Sequence, residues 1–125
     1  MIVNTYKNLI LIITTSVFFI INTPSIFAQN MSDLIWRDGS YYKKFSDVPF
    51  TGKILGNIRG AIVDGKKNGT WVQYHKNGQL FSLKNFKQGL LHGAWFIYDN
   101  RGFIIEKGNY KNNHVDGIWI RFFDN

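Results

Sequence analysis

Gly69-Thr70-Trp71-Val72-Gln73-Tyr74-His75-Lys76-Asn77-Gly78-Gln79-Leu80 is the stretch that decides the fold. Five residues able to alternate across a strand run from Thr70 to Tyr74. Lys76-Asn77-Gly78 then supplies a turn, because Asn and Gly tolerate positive φ. A second apolar run, Leu80 to Phe86, completes a β-hairpin. The same pattern returns downstream. Trp71, Trp95 and Trp119 are spaced by 24 residues, as are Gly69, Gly93 and Gly117. Tyr74, Tyr98 and Phe122 keep the same step, and Gly78 returns as Gly102. So many matches in one register define an internal repeat.

The repeat predicts one hairpin per unit. Unit one covers residues 65–88, unit two 89–112, and a partial unit three 113–125. First strands are expected over Thr70–Tyr74, Ala94–Tyr98 and Ile118–Phe122, and second strands over Leu80–Phe86 and Phe103–Tyr110. Residues 29–64 form a lead-in with a degenerate unit, in which Phe50-Thr51-Gly52-Lys53-Ile54 and Ile58–Val63 supply the two strands. No stretch after Gln29 sustains a 3.6-residue periodicity, so helices are expected to be few and short. The fold class is therefore all-β: an elongated single-layer antiparallel sheet of successive hairpins. Stacking of neighbouring units must stabilise it.

Alternation also assigns faces. Val72 and Tyr74, Phe96 and Tyr98, Ile120 and Phe122 form columns that are apolar in every unit, and this side is expected to be the packed one. Trp71, Trp95 and Trp119 fall on the opposite side, beside Gln73, Ile97 and Arg121. An indole there needs cover, and Gly60 and Gly108 are placed to let a neighbouring backbone lie under a ring. Lys84 occupies the position between these two glycines in the repeat.

Residues Gly69 to Leu80, Gly93 to Ile104 and Gly117 to Phe122 resemble the bacterial variant of the MORN repeat. The lead-in from Arg37 to Phe45, with Pro49 to Lys53, resembles the start of many bacterial members. The resemblance implies a twisted sheet of hairpins and association with proteins or with membrane lipid. Some bacterial relatives are labelled YwqK-type antitoxins, which implies a toxin partner as one alternative. It implies no catalytic residues and no cofactor.

The chain has 125 residues, a formal charge of +7 and no cysteine. Its length suits one domain. The missing cysteines exclude disulfides, thiolate metal sites and a Cys nucleophile. Met1 to Asn8 carry Lys7, and Leu9 to Ile21 is a nearly unbroken apolar run of 13 positions. Asn22-Thr23-Pro24 breaks it before Ala28. This is the layout of a secretory signal peptide cleaved after Ala28. The run is short for a bilayer span of about 20 residues. An uncleaved N-terminal anchor is the alternative. Export to the periplasm, envelope or medium follows from the signal reading. Losing Lys7 with that segment takes the charge from +7 to +6. The basic residues are scattered, which fits solubilising an exposed sheet. An anionic membrane surface is a second partner class, and nucleic acid is not expected in an exported protein.

Chemical constellations are sparse. His75, His92 and His114 fall in three different repeat columns, which argues against convergence on a metal; they read as exposed turn residues. The acids Asp33, Asp38, Asp47, Asp64, Asp99, Glu106, Asp116 and Asp124 mostly adjoin turns, and no spacing pairs them as a hydrolase would require. Asp64-Gly65-Lys66-Lys67-Asn68-Gly69 lacks phosphate-loop spacing and reads as a repeat turn. No catalytic, cofactor or metal residues are assigned, and an enzyme is not expected. The repeat-defining residues are Gly69, Trp71, Tyr74, Gly78, Gly93, Trp95, Tyr98, Gly102, Gly117, Trp119 and Phe122. Unit three ends where a second strand is due. Ile118, Trp119, Ile120, Phe122 and Phe123 therefore form the candidate interaction edge, open to a protein partner or to edge-to-edge self-association. The expected role is a non-catalytic interaction scaffold.

Overall fold

The computed structural model describes residues 29–123. The segment read as a signal peptide, and Asp124 with Asn125, lie outside the described residues. The described chain is all-β, with ten strands and one short 3-10 turn, Met31–Asp33. The strands are β1 Leu34–Arg37, β2 Ser40–Lys43, β3 Gly52–Ile54, β4 Ile58–Val63, β5 Lys66–Tyr74, β6 Leu80–Lys87, β7 Leu90–Tyr98, β8 Ile104–Lys111, β9 His114–Val115 and β10 Ile120–Arg121.

Strands β3 to β8 pair antiparallel in chain order. β9 and β10 both pair with β8, and β10 is the last strand of the sheet. β1 and β2 form a separate hairpin. Residues Gly69 and Phe86 face each other across β5 and β6, as Gly93 and Tyr110 do across β7 and β8.

The first strands begin earlier than the sequence suggests, at Lys66 and Leu90 rather than Thr70 and Ala94. The reason is the turn that precedes them. Asp64-Gly65, Gln88-Gly89 and Asn112-Asn113 all have positive φ at both positions, from 47° to 84°. Such two-residue turns match the right-handed twist of the flanking strands. The ladder therefore resumes at once, and Lys66-Lys67 belong to a strand rather than to a turn.

Gly69 and Gly93 then sit where the long strands bulge. Arg59 pairs Val72 whereas Ala61 pairs Asn68, so β5 carries extra residues against β4. Gly69 has φ of 70°, which only glycine adopts without strain. At Gly117 the same feature divides the strand. The expected strand Ile118–Phe122 is reduced to Ile120–Arg121, with β9 as its detached first half.

The packed side is the reverse of the expected one. The core is Leu34, Phe50, Ile54, Ile62 and Trp71, with Met31, Tyr41, Ile58 and Phe86 packed against it. Trp71 is 4% exposed, whereas Val72 and Tyr74 are only half-buried. The β1–β2 hairpin and Phe50 lie against the tryptophan side of the N-terminal end, and this cover decides the matter. Backbone bonds fix it there: Tyr41 N–H donates to Gly65 O at 2.9 Å, and Gly65 N–H donates to Phe50 O at 2.8 Å.

The glycine cover for the indoles is present. A Cβ at Gly60 would lie 2.3 Å from Trp71 Cδ2, and one at Gly108 would lie 2.2 Å from Trp119 Cε3. Gly78 and Gly102 close the β5–β6 and β7–β8 turns with positive φ. Their N–H groups donate to His75 O at 3.0 Å and Asp99 O at 3.1 Å.

Candidate functional site

Two regions of the sheet present chemistry. The first is the terminal edge. β10 is held by the pairs Ile120 with Lys107 and Arg121 with Glu106, and by Phe122 N–H donating to Ile105 O at 2.9 Å. Because ladder groups alternate in direction, Arg121 and Phe123 turn their N–H and C=O outward. Ile118 is 81% exposed and Phe123 79%, with Ile120 and Phe122 also exposed. Trp119 differs from its neighbours. It is half-buried and packs on Tyr110 and Trp95, with ring centroids 5.4 Å and 5.9 Å away. Its indole N–H donates to Glu106 Oε1 at 2.7 Å, and Arg121 donates to the same oxygen at 2.9 Å. These two bonds, from Arg121 first and then Trp119, hold the Glu106 carboxyl below its ordinary range. So four of the five candidate edge residues face solvent and Trp119 is an inward anchor.

Two hollows border this edge. One of about 420 Å³ is lined by Phe96, Lys107, Ile118 and Ile120 among others. Another of about 290 Å³ is lined by Ile105, Arg121, Phe122 and Phe123. Side chains alternate along a strand, so a strand added to β10 would send residues to both sides. The opposite edge of the sheet differs. Gln29 bridges Ile54 there, with Gln29 N–H donating to Lys53 O at 3.0 Å.

The second region is on the tryptophan side, between β4, β5 and β6. Lys67 on β5 and Lys84 on β6 both line a hollow of about 110 Å³ with Gln73, Ser82, Trp71 and Phe86. Lys67 Nζ lies 4.5 Å from the Trp71 ring centroid and 5.3 Å from that of Phe86. Lys84 Nζ lies 4.3 Å from the Trp95 centroid. Burial lowers the Lys67 pKa, and the charge of Lys84 lowers it further; burial also lowers that of Lys84. The aromatic faces attract the ammonium groups, but the two cations repel each other. The ion pairs found among the described residues, Arg37–Asp47, Arg101–Asp99 and Arg121–Glu106, do not involve either lysine.

The sequence reading did not single out this second region. Its signal was the column Gly60, Lys84, Gly108, where a lysine replaces the glycine that admits a tryptophan ring. Two histidines differ from the exposed residues expected, whereas His114, on β9, is exposed. His75 is half-buried, with Nε2 3.0 Å from Tyr98 O and its ring 4.9 Å from that of Phe81. His92 lies in β7, half-buried, with Nδ1 3.2 Å from Asn112 Oδ1. Among the described residues no cluster of three or more His, Cys, Asp or Glu is arranged to hold a metal ion. No helix among them is long and apolar enough to cross a membrane. A further hollow, about 480 Å³, lies by the β4–β5 and β6–β7 turns and is lined by Val63, Asp64, Lys66, Asn68 and Gln88. It brings together one acid, Asp64, and one lysine, Lys66. In comparisons with known proteins, no family model, no curated protein and no solved structure matches this chain.

Proposed function

We propose that this chain is a non-catalytic, exported MORN-type repeat protein that captures an extended strand of a partner protein on its β10 edge. The observation that carries the reading is the outer side of β10, unpaired among the described residues, where exposed Ile118, Ile120, Phe122 and Phe123 border two hollows. An edge with free backbone groups and apolar flanks is what strand addition uses. The Gly-Trp-Tyr and Asn-Gly pattern of the units supports the MORN reading, and the apolar segment before Gln29 supports export. The same edge could pair two copies of this chain, which is the competing outcome.

The test compares the full chain with a double variant, Ile118→Asp with Phe123→Asp, as bait in the native cell envelope. Both side chains are exposed, so the fold should persist. One or more proteins retained by the parent and lost by the variant would support the reading. Identical retained sets would overturn it. Concentration-dependent dimers in sedimentation, lost in the variant, would replace the heterologous partner with a second copy.

A further inference from the structure

We infer that the hollow between β4, β5 and β6 is a binding site for a carboxylate carried on an apolar or aromatic body. Two ammonium groups, Lys67 and Lys84, line it with the Ser82 hydroxyl and the Gln73 carboxamide, and no acid is among its lining residues. Cations drawn into a partly buried site with no acid in its lining are costly to the fold, and such groups in a hollow are candidates for a binding site. The volume, about 110 Å³, suits a carboxylate with a short stem and excludes a folded segment.

The protein itself shows which anion fits. Ser82 on β6 and Glu106 on β8 occupy the same repeat position and lie on the same side of the sheet, each paired with Ile97 of β7. At Glu106 a carboxylate accepts from an indole N–H and from a cation, Trp119 and Arg121. In the preceding unit the cation Lys84 lies over Trp95, whose indole N–H is buried without a hydrogen-bond partner. Trp95 repeats the Trp119 indole there, Ile97 stands where Arg121 does, and Lys84, from the Gly108 position, is the cation beside the ring; the carboxylate is not repeated. Ser82 is 2% exposed and its short side chain leaves the room that a glutamate would fill.

The apolar body has a place as well. A neighbouring hollow of about 180 Å³ shares Lys67 and Phe86 with the first and adds Trp36, Tyr41 and Lys66. A carboxylate between Lys67 and Lys84 would lay its carbon skeleton along this aromatic wall. Burial of both ends of such a molecule is the usual design of a small-ligand site. A free organic acid and an acidic side chain of a bound protein present the same group.

The experiment titrates the full chain with 4-phenylbutyrate, a hexaglutamate peptide and inorganic phosphate. Tryptophan fluorescence and the indole N–H resonances report binding. Saturable binding of a carboxylate, with a shift of the Trp95 indole signal, is expected. Lys67→Met with Lys84→Met should weaken it tenfold or more without lowering Tm, since removing the two cations also removes their repulsion. Ser82→Glu should fill the hollow from within, blocking the added acid while Tm holds or rises. Tighter binding of 4-phenylbutyrate than of hexaglutamate supports the apolar body. Four results would overturn the site: no saturable carboxylate binding, hexaglutamate binding more tightly than 4-phenylbutyrate, phosphate binding more tightly than either carboxylate, or undiminished binding by the double lysine or Ser82→Glu variants.

Discussion

The two ends of this sheet are built from the same repeat and reach different outcomes. At the N-terminal end, Trp71 lies on Gly60 beneath the β1–β2 hairpin, among Phe50, Ile54 and Ile62. At the C-terminal end, Trp119 lies on Gly108 beside Trp95, Tyr110 and Glu106, and Phe103, Ile105, Ile118, Phe122 and Phe123 face solvent. The local geometry is repeated; the cover is not. A one-layer sheet does not bury a side by itself, and a non-repeated element must supply the second layer. Among the described residues, the end without it keeps its apolar side chains exposed.

The comparison breaks most clearly at the tryptophans. Trp71→Ala should destabilise by about 3–5 kcal/mol, the range for a large ring lost from a core. Trp119→Ala should cost about 1–2 kcal/mol, as a half-buried ring leaves a smaller void. Urea titration of both variants measures the difference, and equal losses would refute the contrast between the ends.

The glycines sharpen it. Alanine at Gly60 or Gly108 meets an indole at nearly the same distance, 2.3 Å or 2.2 Å. Trp71 has no room to yield, so Gly60→Ala should cost about 2–3 kcal/mol, in the range of core overpacking. Trp119 can swing toward solvent, so Gly108→Ala should cost about 1 kcal/mol or less. Thermal denaturation of the two variants side by side decides it.

The smallest effects are in pH. Arg121 and Trp119 lower the Glu106 pKa in the folded state. Their stabilisation is therefore complete above the unfolded glutamate pKa and is lost as pH falls through the folded one. Glu106→Gln should flatten this acid limb. At the other end, the lowered pKa values of Lys67 and Lys84 mean that the folded chain sheds these protons before the unfolded chain does. Stability should rise as pH climbs through those lowered values toward the ordinary lysine pKa. Tyr41 opposes this at higher pH, because burial raises its pKa and favours the protonated folded form. The Lys67→Met, Lys84→Met double variant should remove the alkaline rise, read as Tm against pH.

Much of the architecture was legible because hairpin turns are local. Asn77-Gly78 and Arg101-Gly102 announce themselves, and Asp64-Gly65 or Gln88-Gly89 fix the next register within two residues. Strand starts at Lys66 and Leu90 were missed because Gly69 and Gly93, where the strands bulge, interrupt the strand pattern a few residues later. The lysine hollow was not legible. It arises from Lys67 and Lys84 meeting across two strands, and only the lone lysine in a glycine column hinted at it.

The sequence by itself determined the all-β class, the succession of hairpins and the pairing of small glycines with large indoles, because these depend on residues near one another in the chain or in the repeat. Which side of the sheet became the core was decided only by tertiary structure. The Val72 and Tyr74 columns are the more uniformly apolar, yet Trp71 is the buried residue. Alternation divides a strand into two sides without saying which will be covered. That choice was made by the β1–β2 hairpin and Phe50, packed where Gly60 lets the Trp71 ring lie flat enough to receive them.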